Sequence, residues 1–124
     1  MAEISYDVLG IGNAIVDVLA PADDAFLEAH GLAKGAMTLI DAVRAEELYA
    51  AMGSGTEASG GSAANTVAGV AALGGRACFI GKVRDDDLGK IFAHDIRAIG
   101  VDFHSAPATG GAPTARCLVS VTPD

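Results

Sequence analysis

Cations are scarce in this sequence: eight Lys and Arg face sixteen Asp and Glu over 124 residues, giving a formal net charge of −8 and a pI near 4.6. A surface of that sign repels phosphate backbones and anionic lipid headgroups, so neither nucleic acid nor a membrane surface is expected as a partner. No apolar run approaches the roughly 20 residues of a membrane-spanning helix. The start, residues 1–7, lacks the basic and apolar regions of a secretory signal. Together these absences point to a soluble, cytoplasmic protein. Cysteine is equally sparse. Cys78 and Cys117 stand far apart in apolar, strand-like runs with no CxxC pair, and both are read as buried, reduced thiols. His30, His94 and His104 share no ligand spacing with each other or with the cysteines, so no metal site is expected. Asp85, Asp86 and Asp87 lack EF-hand spacing and suit an acidic helix N-terminus instead.

What the chain has in quantity is apolar residues and glycine. A 51% hydrophobic content and a mean hydropathy of +0.39 exclude a disordered acidic tail, and the length suits one domain with a sizeable core. The sixteen glycines show no repeat period and read as turn and cap punctuation. Residues 6–11 and 14–20 read as one buried strand, kinked at Gly12 and Asn13 and stopped by Pro21. Residues 23–30 carry the acid-first charge order and following glycine of a short helix. Residues 36–40 read as a strand, Asp41 as the cap of an amphipathic helix over 42–52, and 53–56 as a loose turn. Further on come a helix over 62–73 closed by Gly74, a strand over 77–83 and a helix over 88–99. Strands over 101–104 and 115–122 complete the order. Strands alternating with helices imply an α/β sheet.

The most informative segment is 59–75. Ala64, Val67, Ala68, Ala71 and Ala72 recur at helical spacing, and Ala63, Gly69 and Val70 occupy the other side. A helix apolar nearly all round is expected to be buried on most sides, which leaves its polar atoms in the first turn, at Ser62, Asn65 and Thr66. Gly60 and Gly61 precede that turn and let a ligand approach the backbone, where free N–H groups and the positive dipole end converge. Two readings stand side by side. Either the Gly60 and Gly61 backbone with Ser62 and Asn65 holds a polar ligand, or the segment is a well-capped buried helix. Asp17 interrupts an otherwise apolar strand face, where an unpaired buried charge would cost several kcal/mol. It is either a solvated edge residue or a cleft carboxylate, and a cleft carboxylate can accept from two adjacent hydroxyls.

Two nucleotide motifs fail. The third glycine of a dinucleotide fingerprint begun by Gly10 and Gly12 falls on Ile15. Gly81-Lys82 lacks a P-loop, with Arg76 five residues before Gly81 and Val83 after Lys82.

The combination of GlyIleGlyAsnAlaIleValAsp (10–17), GlyGlySerAlaAlaAsn (60–65) and LeuGlyGly…PheIleGlyLysValArgAspAspAspLeuGly (73–89) resembles the ribokinase or PfkB family of carbohydrate and nucleoside kinases, over almost the whole chain. Val67 stands where the family's first signature usually has a small residue, and Arg84 where glycine usually precedes the acidic turn. The form of the first two motifs looks more like adenosine kinases than ribokinases. The resemblance implies a ribokinase-like, doubly wound α/β sheet with a small β-sheet lid, its strands near 13–20, 36–40, 101–104 and 115–122. It implies a substrate site of Asn13, Asp17, Gly60, Gly61, Ser62 and Asn65, with Asp17 accepting from sugar hydroxyls. Met37 and Leu39 would cover a purine, and Thr114 and Arg116 would reach the site from the lid.

The implied partner is a small sugar or nucleoside, and the implied activity is ATP- and Mg2+-dependent phosphorylation of a primary hydroxyl of adenosine or a related sugar. In the family the catalytic aspartate, the anion hole and the ATP site lie in a C-terminal half. No catalytic residue is therefore expected in 1–124, and this chain alone is expected not to transfer phosphate. The lid sheet offers a homodimer surface. The alternative is a non-catalytic sugar- or nucleoside-binding or oligomerisation module.

Overall fold

Glu3 and residues 5–124 are described by a computed structural model. The expectation about the amino-terminal signal falls partly on residues outside this range. The chain runs β1 (Val8–Ile11), β2 (Ile15–Pro21), α1 (Asp24–Ala29), α2 (Ala42–Ala51), β3 (Thr56–Gly60), α3 (Ser62–Ala72), β4 (Ala77–Ile80), α4 (Asp87–Ala98), β5 (Asp102–Phe103) and β6 (Ala115–Val121). Aspartate begins three of the helices. Asp23, Asp41 and Asp86 each accept a hydrogen bond at 2.8 Å from the backbone N–H three residues on, which satisfies one of the orphan donors of a helix start. The alternating order and the parallel pairing make this the α/β fold expected from the sequence.

Two compact units divide the chain. The first comprises Met1–Val16 and Ala58–Arg116, the second Asp17–Glu57 and Cys117–Asp124. In the first, β1, β4 and β5 form a parallel sheet in the order β1-β4-β5, with Val8 opposite Ala77, Ile11 opposite Ile80 and Cys78 opposite Asp102. Parallel strands need a covered face. Here Val67 of α3 and Phe92 and Ile96 of α4 join Ala77, Phe79, Val101 and Phe103 in one buried cluster. Phe79, Phe92 and Phe103 meet with centroids 5.4–6.0 Å apart, in the tilted and edge-on arrangements that aromatic quadrupoles favour.

In the second unit, five apolar side chains are buried: Val18, Ala20, Leu27, Ala45 and Leu48. Polar contacts supplement them. Lys34 pairs with Asp24 at 3.1 Å and with Asp124 at 2.6 Å, Arg44 Nη2 donates to the His30 carbonyl at 2.7 Å, and Tyr49 donates to Glu57 at 2.8 Å. A second sheet has the order β3-β2-β6.

Several elements depart from the sequence reading. Residues 6–20 are not one kinked strand. After Gly12 N donates to the Ile80 carbonyl at 3.1 Å, the chain leaves the first sheet and β2 pairs in the second. Residues 36–40 hold no strand. They are exposed throughout, and neither their pattern nor a neighbouring strand among the described residues gives a sheet face to bury. Residues 53–60 contain β3, whose ThrGluAlaSerGly sequence lacks strand alternation and is held extended by its neighbour β2.

Residues 101–104, expected among the lid strands, contain β5, which pairs with β4 in the first sheet, and Val101 and Phe103 are buried in the first unit's core. The strand expected over 77–83 ends at Ile80. Helix α3 buries one face, at Ala64 and Val67, while Leu73 beyond its end is 91% exposed; nothing among the described residues covers that side. Cys117 is exposed on β6, whereas Cys78 is buried as expected.

Candidate functional site

Within the first unit, the chain reaches α3 through Gly60, which is buried, and Gly61, which has φ +100°. A Cβ at Gly61 would lie 2.6 Å from the Asn13 carbonyl oxygen. Only glycine therefore suits both the dihedral and the approach, and this close contact brings Asn13 against the start of α3. Gly61 is also the N-cap and offers no side chain to cap the helix. Its carbonyl accepts from Asn65 N at 2.8 Å, and Thr66 Oγ1 donates to the Ser62 carbonyl at 2.8 Å, so Thr66 is taken up in the helix itself. The side chains of Asn13, Ser62 and Asn65 stay exposed around a helix start without a side-chain cap. Such a start presents N–H donors and a positive dipole end to a polar ligand. The structure thus joins Asn13, Gly60, Gly61, Ser62 and Asn65 in one place.

Asp17, Met37 and Leu39 belong to the second unit. Asp17 is half-buried on β2 between the buried Val16 and Val18. No hydrogen bond or ion pair from the described residues takes up its carboxylate. Its charge acts on β6, where partial desolvation pushes the Cys117 thiol up and the Asp17 charge pushes it further. Met37 and Leu39 are 84% and 90% exposed in the strandless stretch before α2.

Thr114 does not lie open at a site. It is 3% exposed; its Oγ1 donates to Asp86 at 2.6 Å and accepts from Arg84 N at 3.0 Å, and its own N–H donates to Asp86 at 2.9 Å. Burial would push the Asp86 carboxyl up, but the bonds from Thr114 and Gly89 and the Arg84 charge outweigh it and hold the group below the ordinary carboxylate range. A Cβ at Gly89 would run into the Arg84 carbonyl and come within 3.1 Å of both Asp86 and Thr114. Read on the sequence, Asp86 was simply part of an acidic helix start. The signal that would have marked the clamp is the glycine three residues after it.

A family model described as pfkB family carbohydrate kinase matches residues 26–124. Among solved structures, an adenosine kinase from Sinorhizobium meliloti is 63% identical with a TM-score of 0.84, and the match covers 98% of this chain and 37% of that one. A probable sugar kinase protein from Rhizobium etli CFN 42 is 55% identical with a TM-score of 0.81, covering 97% of this chain and 36% of that one. Among curated proteins, probable fructokinase-3 from Arabidopsis thaliana is 43% identical over 68 residues, 55% of this chain and 20% of that protein. The chain thus corresponds to well under half the length of these relatives.

Proposed function

The chain belongs to the pfkB family of carbohydrate kinases, and from that premise we propose that it supplies the acceptor-binding portion of an ATP-dependent kinase acting on a primary hydroxyl of adenosine or a related sugar. The observation that carries this reading is Asp17, a half-buried carboxylate that no described residue pairs. A group of that kind is costly unless a ligand supplies hydrogen bonds, and adjacent sugar hydroxyls are suitable donors. The family resemblance assigns further sugar contacts to the start of α3, through the Gly60 and Gly61 backbone, Ser62, Asn65 and Asn13.

Adenosine stands ahead of fructose because the likeness to the bacterial adenosine kinase is stronger and spans nearly the whole chain. Met37 and Leu39, both exposed, are assigned to cover the purine. The sheet β3-β2-β6 acts as a water-excluding lid and offers a homodimer surface. Use of ATP and Mg2+ is what membership of the pfkB family supports, and none of residues 1–124 is assigned to either.

The test is acceptor kinetics on the protein made from its native gene, with ATP, Mg2+ and a panel of adenosine, fructose and ribose. Adenosine is expected to be phosphorylated best. Asp17→Ala is expected to raise the acceptor KM about ten- to hundredfold, the loss of charge-assisted hydrogen bonds worth roughly 1.5–3 kcal/mol, with the KM for ATP unchanged. An unaltered acceptor KM removes Asp17 from the site, and no turnover of any acceptor overturns the kinase reading.

A further inference from the structure

The first unit contains a cavity of about 580 Å3 that shares no residue with the expected sugar contacts. Three of the chain's eight Lys and Arg residues line it, namely Arg84, Lys90 and Arg97, together with His94 and a single carboxylate, Asp85. That concentration of positive charge is unexpected in a chain with a net charge of −8. Lys90, His94 and Arg97 follow at i, i+4 and i+7 along α4 and so share one face.

The two guanidinium groups are fixed by carbonyls, and Arg84 also acts through its charge on the nearby Asp86 carboxylate. Arg97 donates through Nε and Nη2 to the Phe103 carbonyl at 3.0 and 2.8 Å, with its guanidinium 5.5 Å from the Phe103 ring centroid. Arg84 donates through Nη1 to the Gly111 carbonyl at 2.9 Å. Carbonyls orient a guanidinium without cancelling its charge, and none of the four basic groups makes an ion pair with a described carboxylate within 4 Å. Ser105 accepts from Gly81 N at 3.4 Å and keeps its hydroxyl hydrogen to donate. Val83, Ala93 and Pro107 add apolar wall.

We propose that this cavity binds a small molecule carrying a phosphoryl group on an apolar or ring-shaped body. A pre-oriented guanidinium matches phosphoryl oxygens geometrically, and an ammonium adds a point charge. The volume lies within the roughly 300–1,000 Å3 of small-molecule pockets. A polyanion large enough to reach past the cavity would meet the acidic remainder of the surface. The proposal is independent of the kinase reading, since it uses none of the same residues.

Phenyl phosphate is the probe, titrated into the full chain at low ionic strength while backbone amide NMR shifts are followed. Saturable shifts are expected on α4 and near Ser105. Inorganic phosphate should compete, and phenol, the neutral counterpart, should produce none. Lys90 and His94 are exposed and make no hydrogen bond or ion pair with a described residue, so Lys90→Gln/His94→Gln should keep the native spectrum while weakening phenyl phosphate at least tenfold. The proposal is overturned by shifts that do not saturate, by equal binding of phenol, or by an unchanged affinity in the folded double variant.

Discussion

Phe79, Phe92 and Phe103 interlock inside the first unit with Val67, Ile96 and Val101 around them, all at most 2% exposed. The second unit buries five side chains, two of them alanine, and every residue from 33 to 43 is exposed. Its other ties include the β3-β2-β6 ladder, helix caps, the Tyr49–Glu57 hydrogen bond, one guanidinium-carbonyl bond and ion pairs between exposed groups. Apolar burial is worth about 25 cal/mol per Å2 and is insensitive to salt, whereas exposed ion pairs add little and are screened. The same short chain therefore contains one region organised by packing and another organised largely by polar contacts. The second belongs to the low end of local stability, where ligand-binding segments are commonly found.

Breaking the stronger side of that contrast should have the largest effect. Phe79→Ala removes a fully buried ring from the aromatic cluster and should cost about 3–5 kcal/mol, read as a large drop in the urea midpoint of the first unit. Next, Leu48→Ala takes one of the three buried branched chains from the sparse second-unit core and should cost about 2–3 kcal/mol. Hydrogen exchange should show this loss in α1 and α2 while the amides of β4 keep their protection; equal losses in both regions would abolish the contrast. The smallest effect tests whether the packed unit is also free of polar dependence. Asp86 has a folded-state pKa below its unfolded value, so its contribution is complete above about pH 4 and lost as pH falls through the folded value. Asp86→Ala should cost about 2 kcal/mol at pH 7 and should flatten the acid limb of the stability curve. A curve parallel to that of the parent would remove the clamp from the account.

The elements legible in the sequence were those whose pattern and punctuation agree. Helix α2 announced its cap at Asp41, α4 its apolar face at Phe92 and Ile96, and α3 its start after Gly61. What stayed hidden depends on partners remote in sequence. Strand β3 carries no apolar alternation and exists because β2 is beside it. Residues 36–40 carry strand-like composition but have no such neighbour. Asn13 entered the site only through the family resemblance, and what holds it against the α3 start, the positive φ and close approach at Gly61, shows in the structure alone. The convergence of Arg84, Lys90 and Arg97 was not legible either, since Arg97 is anchored by the carbonyl of a strand that follows its helix, a contact no spacing rule encodes.

The bonds between Asp86 and Thr114 span 28 residues of chain. Closing a loop of that length has an entropic cost that grows as about 1.5RT times the logarithm of its length, and α4, β5 and the turn beyond must already be placed before the two ends can meet. If those elements are placed first, the clamp is expected to form on the native side of the folding barrier, which the folding and unfolding rates of Asp86→Ala would test. Its loss is then expected to appear mainly as faster unfolding with refolding nearly untouched, which would make one carboxylate at the head of a helix govern how long the native state lasts more than how quickly it forms.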